Sequence, residues 1–254
     1  MQSVAALDYI SAATQAGAIE VKNSTLNAPK LELKTGDGRI QAQSLRASHS
    51  ANLETDRGDL YAEVEAPVIS LYTVIGAITG RFNVSESLLF NTTTGTFDAS
   101  VLAQRAPRRL SGSAMADGVE LVTHNITVRG YTIDGAVDVI FDQEPNIHLD
   151  SNVQSTNGNV HGRHTAAFQG AFELYTATGE VAVPTPPPQE ELGAYRHFSE
   201  DVKMTWFRTS LSKGRTWLRL PGRVDPPGSR QPSWPDYGRS VFGSGRGQIH
   251  AVFE

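Results

Sequence analysis

Thr35-Gly36-Asp37-Gly38-Arg39-Ile40 is followed by Thr55-Asp56-Arg57-Gly58-Asp59-Leu60 and then by Thr73-Val74-Ile75-Gly76-Ala77-Ile78. The shared pattern is Thr or Ser, two residues, Gly, one residue, and a large apolar side chain. It begins upstream at Thr14–Ile19 and continues at Thr92–Phe97, Thr132–Val137, Ser155–Val160 and Thr176–Val181. A blurred copy falls at Met115-Ala116-Asp117-Gly118, and a last one at Ser244-Gly245-Arg246-Gly247-Gln248-Ile249. From Gly17 to Gly179 the successive motif glycines are 17 to 23 residues apart. A fixed internal period is the mark of a stacked-repeat architecture.

The flanks of each motif alternate. Leu31 and Leu33, Ile69 and Leu71, and Leu88 and Phe90 precede it; Ile40 and Ala42, Leu60 and Ala62, and Phe97 and Ala99 follow. Period two is the signature of a strand with one buried face. Each unit therefore reads as strand, tight turn, strand. Within the turn, Thr or Ser can bond a backbone N–H across it. Gly17, Gly38, Gly58, Gly76, Gly95, Gly135, Gly158 and Gly179 supply the positive φ that ends it.

Two all-β folds accommodate such units. One is a right-handed, single-stranded β-helix or β-solenoid, each ~20-residue unit forming a coil stacked ~4.8 Å from the next. The other is an antiparallel meander or sandwich of hairpins. Stacking favours the solenoid, because it places equivalent residues over one another and so explains why the same types recur at the same offsets. The solenoid is expected over 1–183, with a loop break near 103–112. A Pro-rich insertion covers 184–199, where Pro184, Pro186, Pro187 and Pro188 cannot donate to a sheet. Terminal strands and loops over 200–254, including Val202–Trp206 and Trp217–Leu220, are expected to rejoin and close the stack. The only helical turns expected lie in loops, as near Glu190–Arg196.

With these residues in place, the chain resembles the adhesin-like β-solenoid families of unknown function, from bacteria and with fungal-type relatives. The likeness rests on apolar-x-apolar-x-Thr-x-x-Gly-x-Ile-x-Ala/Gly, seen in Leu31–Ala42, Leu71–Gly80, Val153–Gly162 and Phe172–Val183. It covers about residues 7–183 well and 200–254 loosely. The resemblance implies a right-handed β-helix and a surface or envelope setting, and it carries over no catalytic residue.

Composition narrows the function classes. The 254 residues carry a net charge of −5 and no cysteine. Disulfides, thiolate metal sites and cysteine nucleophiles are thereby excluded. The densest basic cluster, Arg105, Arg108 and Arg109, is too small to track phosphates, so no nucleic-acid partner is expected. No apolar run reaches the ~18 residues of a membrane span. No signal peptide stands in this chain, and the first unit starts so near Met1 that the natural chain or a partner is expected to extend this edge.

No catalytic residue, cofactor site or metal site is expected. Asp37, Asp56, Asp59 and Asp134 sit at the turns at unequal offsets and read as turn formers. His161 and His164, three apart, face opposite sides of a strand and read as solvated corner residues. Sequons at Asn23, Asn83, Asn91 and Asn125 are candidate glycosylation sites of a secreted chain. Trp206, Trp217, Trp234, Tyr195 and Tyr237 are candidate binding aromatics or an end cap. These features suggest a non-catalytic, adhesin-like scaffold, extracellular or on the cell surface, for a protein or carbohydrate partner. A carbohydrate-active enzyme on a β-helix and an intracellular interaction scaffold are the alternatives.

Overall fold

The computed structural model describes residues 8–21, 26–105, 124–144, 147–164, 170–176, 181–182, 195–198, 203–206, 218–225 and 238–253. These form a β-solenoid of flattened coils, each with two long sides. On side A lie β1 (Tyr9–Ala16), β3 (Leu26–Asp37) and the second halves of β4 (Ile40–Arg57), β5 (Leu60–Ile75) and β6 (Ile78–Thr94). Side A continues through β8 (His124–Asp134), β10 (Ile147–Ser155), β12 (Gly170–Thr176) and β17 (Gly238–Ser244). On side B lie β2 (Ile19–Val21), the first halves of β4 to β6, and β7 (Phe97–Ala103). Then come β9 (Val137–Gln143), β11 (Val160–His164), β13 (Val181–Ala182) and β18 (Ile249–Phe253). All pairings between coils are parallel, which rules out a hairpin meander for the repeats.

The motif aligns in space. Thr14, Thr35, Thr55, Thr73, Thr92, Thr132, Ser155, Ser244 and Thr176 form one unbroken column of register partners. Their hydroxyls do not, in the main, bond across their own turn as expected. Each of seven donates to the carbonyl of the motif glycine one coil below. The distances are 3.0 Å for Thr35 to Gly17, 2.8 Å for Thr55 to Gly38 and 3.3 Å for Thr73 to Gly58. Thr92, Thr132, Ser155 and Ser244 repeat the bond to Gly76, Gly95, Gly135 and Gly158. Only Ser155 and Ser244 also accept from their own turn, from Gly158 N–H at 2.8 Å and Gly247 N–H at 2.6 Å.

The glycine is demanded by the same contact. At Gly58, φ is +149° and a Cβ would stand 2.1 Å from the Gly38 carbonyl oxygen. Gly17 starts the column with φ +113° and nothing within 4 Å of the Cβ position.

The core lies between the two sides. Leu33, Leu53, Leu71, Phe90, Gly130, Val153, Phe242 and Leu174 follow one another down the inner face of side A. Side B answers with Ala42, Ala62, Gly80, Ala99, Val139, Gly162 and Ala251, small everywhere but at Val139, whose coil carries Gly130 on side A. The exchange of volume is tight. A Cβ on Gly130 would meet the Phe90 ring at 1.7 Å, and one on Gly162 would meet Phe242 at 2.2 Å. Phe90 and Phe97 stack across the coil with centroids 3.4 Å apart.

The C-terminal segments enter the stack in two ways. After His164 the chain leaves one coil position vacant, and Gly238–Phe253 returns to fill it. β17 lies between β10 and β12, and β18 between β11 and β13. By contrast β14 (Tyr195–Phe198), β15 (Lys203–Trp206) and β16 (Leu218–Asp225) do not stack as coils. They run antiparallel, β16 on β12, β15 on β16 and β14 on β15, and extend side A past its last parallel strand. Tyr195 and Arg196, expected in a helical turn, are therefore strand residues, while 183–194 lies outside the described residues.

The inserted coil is tied by a buried polar contact. His164 is 0% exposed, not solvated as expected, and stacks on Phe141 with centroids 4.9 Å apart. Its Nε2 shares a 2.8 Å hydrogen bond with Ser240 Oγ, which in turn lies 2.5 Å from Ser151 Oγ. The inner column that reads Leu31, Ala51, Ile69, Leu88 and Val128 in other coils thus becomes Ser151 and Ser240 at this junction.

Two outcomes follow from this packing. Gly58→Ala should cost about 3 kcal/mol in urea unfolding, because backbone must move. Gly17→Ala, with only its φ to strain, should cost about 1 kcal/mol. Desolvation holds the His164 imidazole down at about 3, against an ordinary 6.5. The unfolded chain therefore takes up the proton first, and stability falls as pH drops from 6.5 toward 3. Measured against His164→Gln, the protein should lose about 1.4 kcal/mol more per pH unit over that window.

Candidate functional site

A two-sided coil has two edges, and here they differ. The Thr-x-x-Gly edge is uniform. Its acids tie one coil to the next and do not simply form their own turns. Asp59 Oδ1 accepts from Ala77 N–H at 2.9 Å, Asp134 Oδ1 accepts from Asn157 Nδ2 at 2.5 Å, and Asp37 lies 3.9 Å from Arg57. Asp56 is exposed. Along this edge Ile75 and Ile133 are also exposed.

The opposite edge, where side B turns back into side A, is variable. In β4 and β5 the strand bends through it continuously, with register irregularities between Ala42 and Leu45, Arg46 and Ser50, and Ala66 and Val68. In later coils the described strands stop here: on side B β7 ends at Ala103, β9 at Gln143, β11 at His164 and β13 at Ala182, and side A resumes at His124, Ile147, Gly170 and Tyr195. The Pro-rich run and the Arg108–Arg109 cluster each lie in sequence between such a stop and the next strand, outside the described residues. Just past the end of β7, Arg105 N–H donates to Glu144 Oε2 at 3.0 Å, bridging two neighbouring coils.

A surface depression of about 470 Å³ opens on side B close to this edge. Its rim is made by the extra residue in β4, where Ser44 takes φ +57°, a conformation L-residues avoid. Arg46 pairs with Glu65 at 3.2 Å, and Glu63, Arg81 and Asn83 line the rest. The walls are polar and contain two cations and two carboxylates. The depression therefore suits a neutral polar group such as a sugar hydroxyl better than an apolar one. Sequence reading found Asn83 here only as a sequon; the bulge at Ser44 leaves no signature in the sequence.

The remaining candidates scatter. Asn91 is exposed on side A, its register partners above and below being Tyr72 and Tyr131. Asn125 is exposed at the start of β8, and Asn23 lies outside the described residues. Ser85, which completes the Asn83 sequon, is only 7% exposed. Trp206 sits in β15 with Tyr195 and Gly222 as register partners. Trp217, Trp234 and Tyr237 lie outside the described residues. Gly179 of the turn column does too, while the other seven turn glycines fall in line.

Among the described residues no helix is long and apolar enough to cross a membrane. No protein-family model, curated protein or solved structure matches the chain. The class the fold defines is a parallel β-solenoid with one uniform and one variable edge.

Proposed function

We propose that the chain is a non-catalytic, adhesin-like display scaffold at the cell surface. In this reading the solenoid is a stiff bar, and the segments emerging along its variable edge are what a partner meets. The observation that supports it is that, among the described residues, the side B strands β7, β9 and β11 stop at this one edge, at Ala103, Gln143 and His164, while the Thr-x-x-Gly edge keeps its column from Thr14 to Ser244. A stacked column tolerates no insertion at the Thr-x-x-Gly turn, where each glycine carbonyl is an acceptor for the next coil. Among the described residues the opposite corner repeats no such hydroxyl-to-glycine column, so length can change there without disturbing register. Binding residues on loops held by a rigid frame lose little entropy on engagement.

A fluorescently labelled chain tested on a printed array of glycans and matrix proteins checks this. Replacing 106–123 with a short Gly-Ser connection should leave the unfolding midpoint unchanged and weaken array binding tenfold or more. Binding that survives replacement of 106–123 and of 165–169, but is lost on substituting outward residues of side A, would place the recognition surface elsewhere.

A further inference from the structure

In-register stacking has a chemical by-product on the outer face of side B. The first outward position after the turn forms a column, and its later members are Asp98, Asp138, His161 and His250. Far apart in sequence, they stand on successive coils, side by side and open to solvent. The His161 and His250 rings are parallel, 1° from coplanar orientation, with centroids 4.7 Å apart. Below them Asp138 Oδ2 lies 3.3 Å from His161 Nδ1.

We propose that Asp138, His161 and His250 form a surface site for a divalent transition-metal ion of the zinc, nickel or copper type. The ligand set decides the class. Two imidazoles and one carboxylate suit these borderline ions, whereas calcium and magnesium want six or more oxygens or an octahedral shell of water. The spacing fits as well. In a tetrahedral zinc centre with bonds of about 2.05 Å, two ligand atoms stand about 3.3 Å apart. That is the present separation of Asp138 Oδ2 and His161 Nδ1, so these two atoms already stand at the distance that two ligands of one ion take. As the side chains stand, no group of three or more His, Cys, Asp or Glu among the described residues is placed to hold a metal ion. Completion requires the exposed His250 ring to swing from its stacked position toward the pair, a change between staggered rotamers of a solvent-facing side chain. Three protein ligands leave one coordination position for water or a partner's donor group.

The site has a structural consequence of its own. Asp138, His161 and His250 belong to three different coils, and His250 rides on the coil that fills the vacant position out of sequence order. A bound ion clips that coil to the two beneath it. Because the site forms only when the coils are stacked, ion binding stabilises the fold by mass action. The site is independent of the display role and stands if that role fails.

The test uses the full chain without a histidine tag, stripped with a chelator and titrated calorimetrically with zinc alone, together with thermal unfolding in zinc or magnesium. One zinc per chain, an unfolding midpoint raised by zinc and unmoved by magnesium, and at least a tenfold loss of affinity in both His250→Gln and His161→Gln are expected. His49→Gln, exposed and far along the stack, should bind as the parent does. Both test variants change outward side chains, and their zinc-free unfolding curves report that they fold. No zinc binding at millimolar concentration, or binding unchanged in His250→Gln, would overturn the assignment.

Discussion

Everything in this structure depends on one bond, repeated: a Thr or Ser hydroxyl donating to the glycine carbonyl of the coil below. The carbonyl can be reached only because the glycine above it has no Cβ; at Gly38 that atom would stand 2.1 Å from the Gly17 oxygen. Donor, acceptor and gap come from one six-residue motif. Each coil is fixed on the last to within a residue, and a slip of one would turn every inward side chain outward. The inner columns of leucine and phenylalanine facing alanine and glycine follow from that register, and so do the outward ladders of charge.

The coil, its period and its two apolar flanks were legible in sequence because they are local: alternation, a turn motif and a repeat length need no knowledge of neighbours. What lay between coils was not legible. The direction of the threonine bond was misjudged, since a hydroxyl beside a turn has its own N–H groups nearby, and only the stack brings a glycine carbonyl into reach. Alternation is the same in parallel and antiparallel strands, so Leu218–Asp225 gave no sign of turning back against Gly170–Thr176, nor Lys203–Trp206 against Leu218–Asp225. His164 looked like His161 in sequence, yet one is buried against Phe141 and the other faces solvent. The ladder of Asp138, His161 and His250 was invisible for a related reason: its last member arrives 89 residues after the one it stacks on.

The out-of-order coil shows how a repeat protein can specify position. Parallel coils are near-equivalent, and the motif Ser244–Ile249 alone could dock on any open edge. The buried Ser151–Ser240–His164 contact supplies a distinction that apolar columns lack, because a hydroxyl placed against leucine elsewhere in the stack would lose its partner at a cost of about 1–3 kcal/mol. This is the same logic by which a single buried polar residue fixes register in a coiled coil. It also separates the tasks of the two edges: the threonine edge holds the bar together, and the opposite corner is left free to vary.

The order of coils is most directly tested where Gly238–Phe253 sits between the 147–164 and 170–182 coils. The chain has no cysteine of its own, so an introduced pair reports without background. Oxidation of Asn152→Cys/Val241→Cys, register partners on β10 and β17, should form an intramolecular disulfide, as adjacent parallel positions lie within bridging distance. Asn152→Cys/Glu173→Cys, which would be neighbours if the coils stacked in sequence order, should stay reduced. A bridge in the second pair and none in the first would contradict the account.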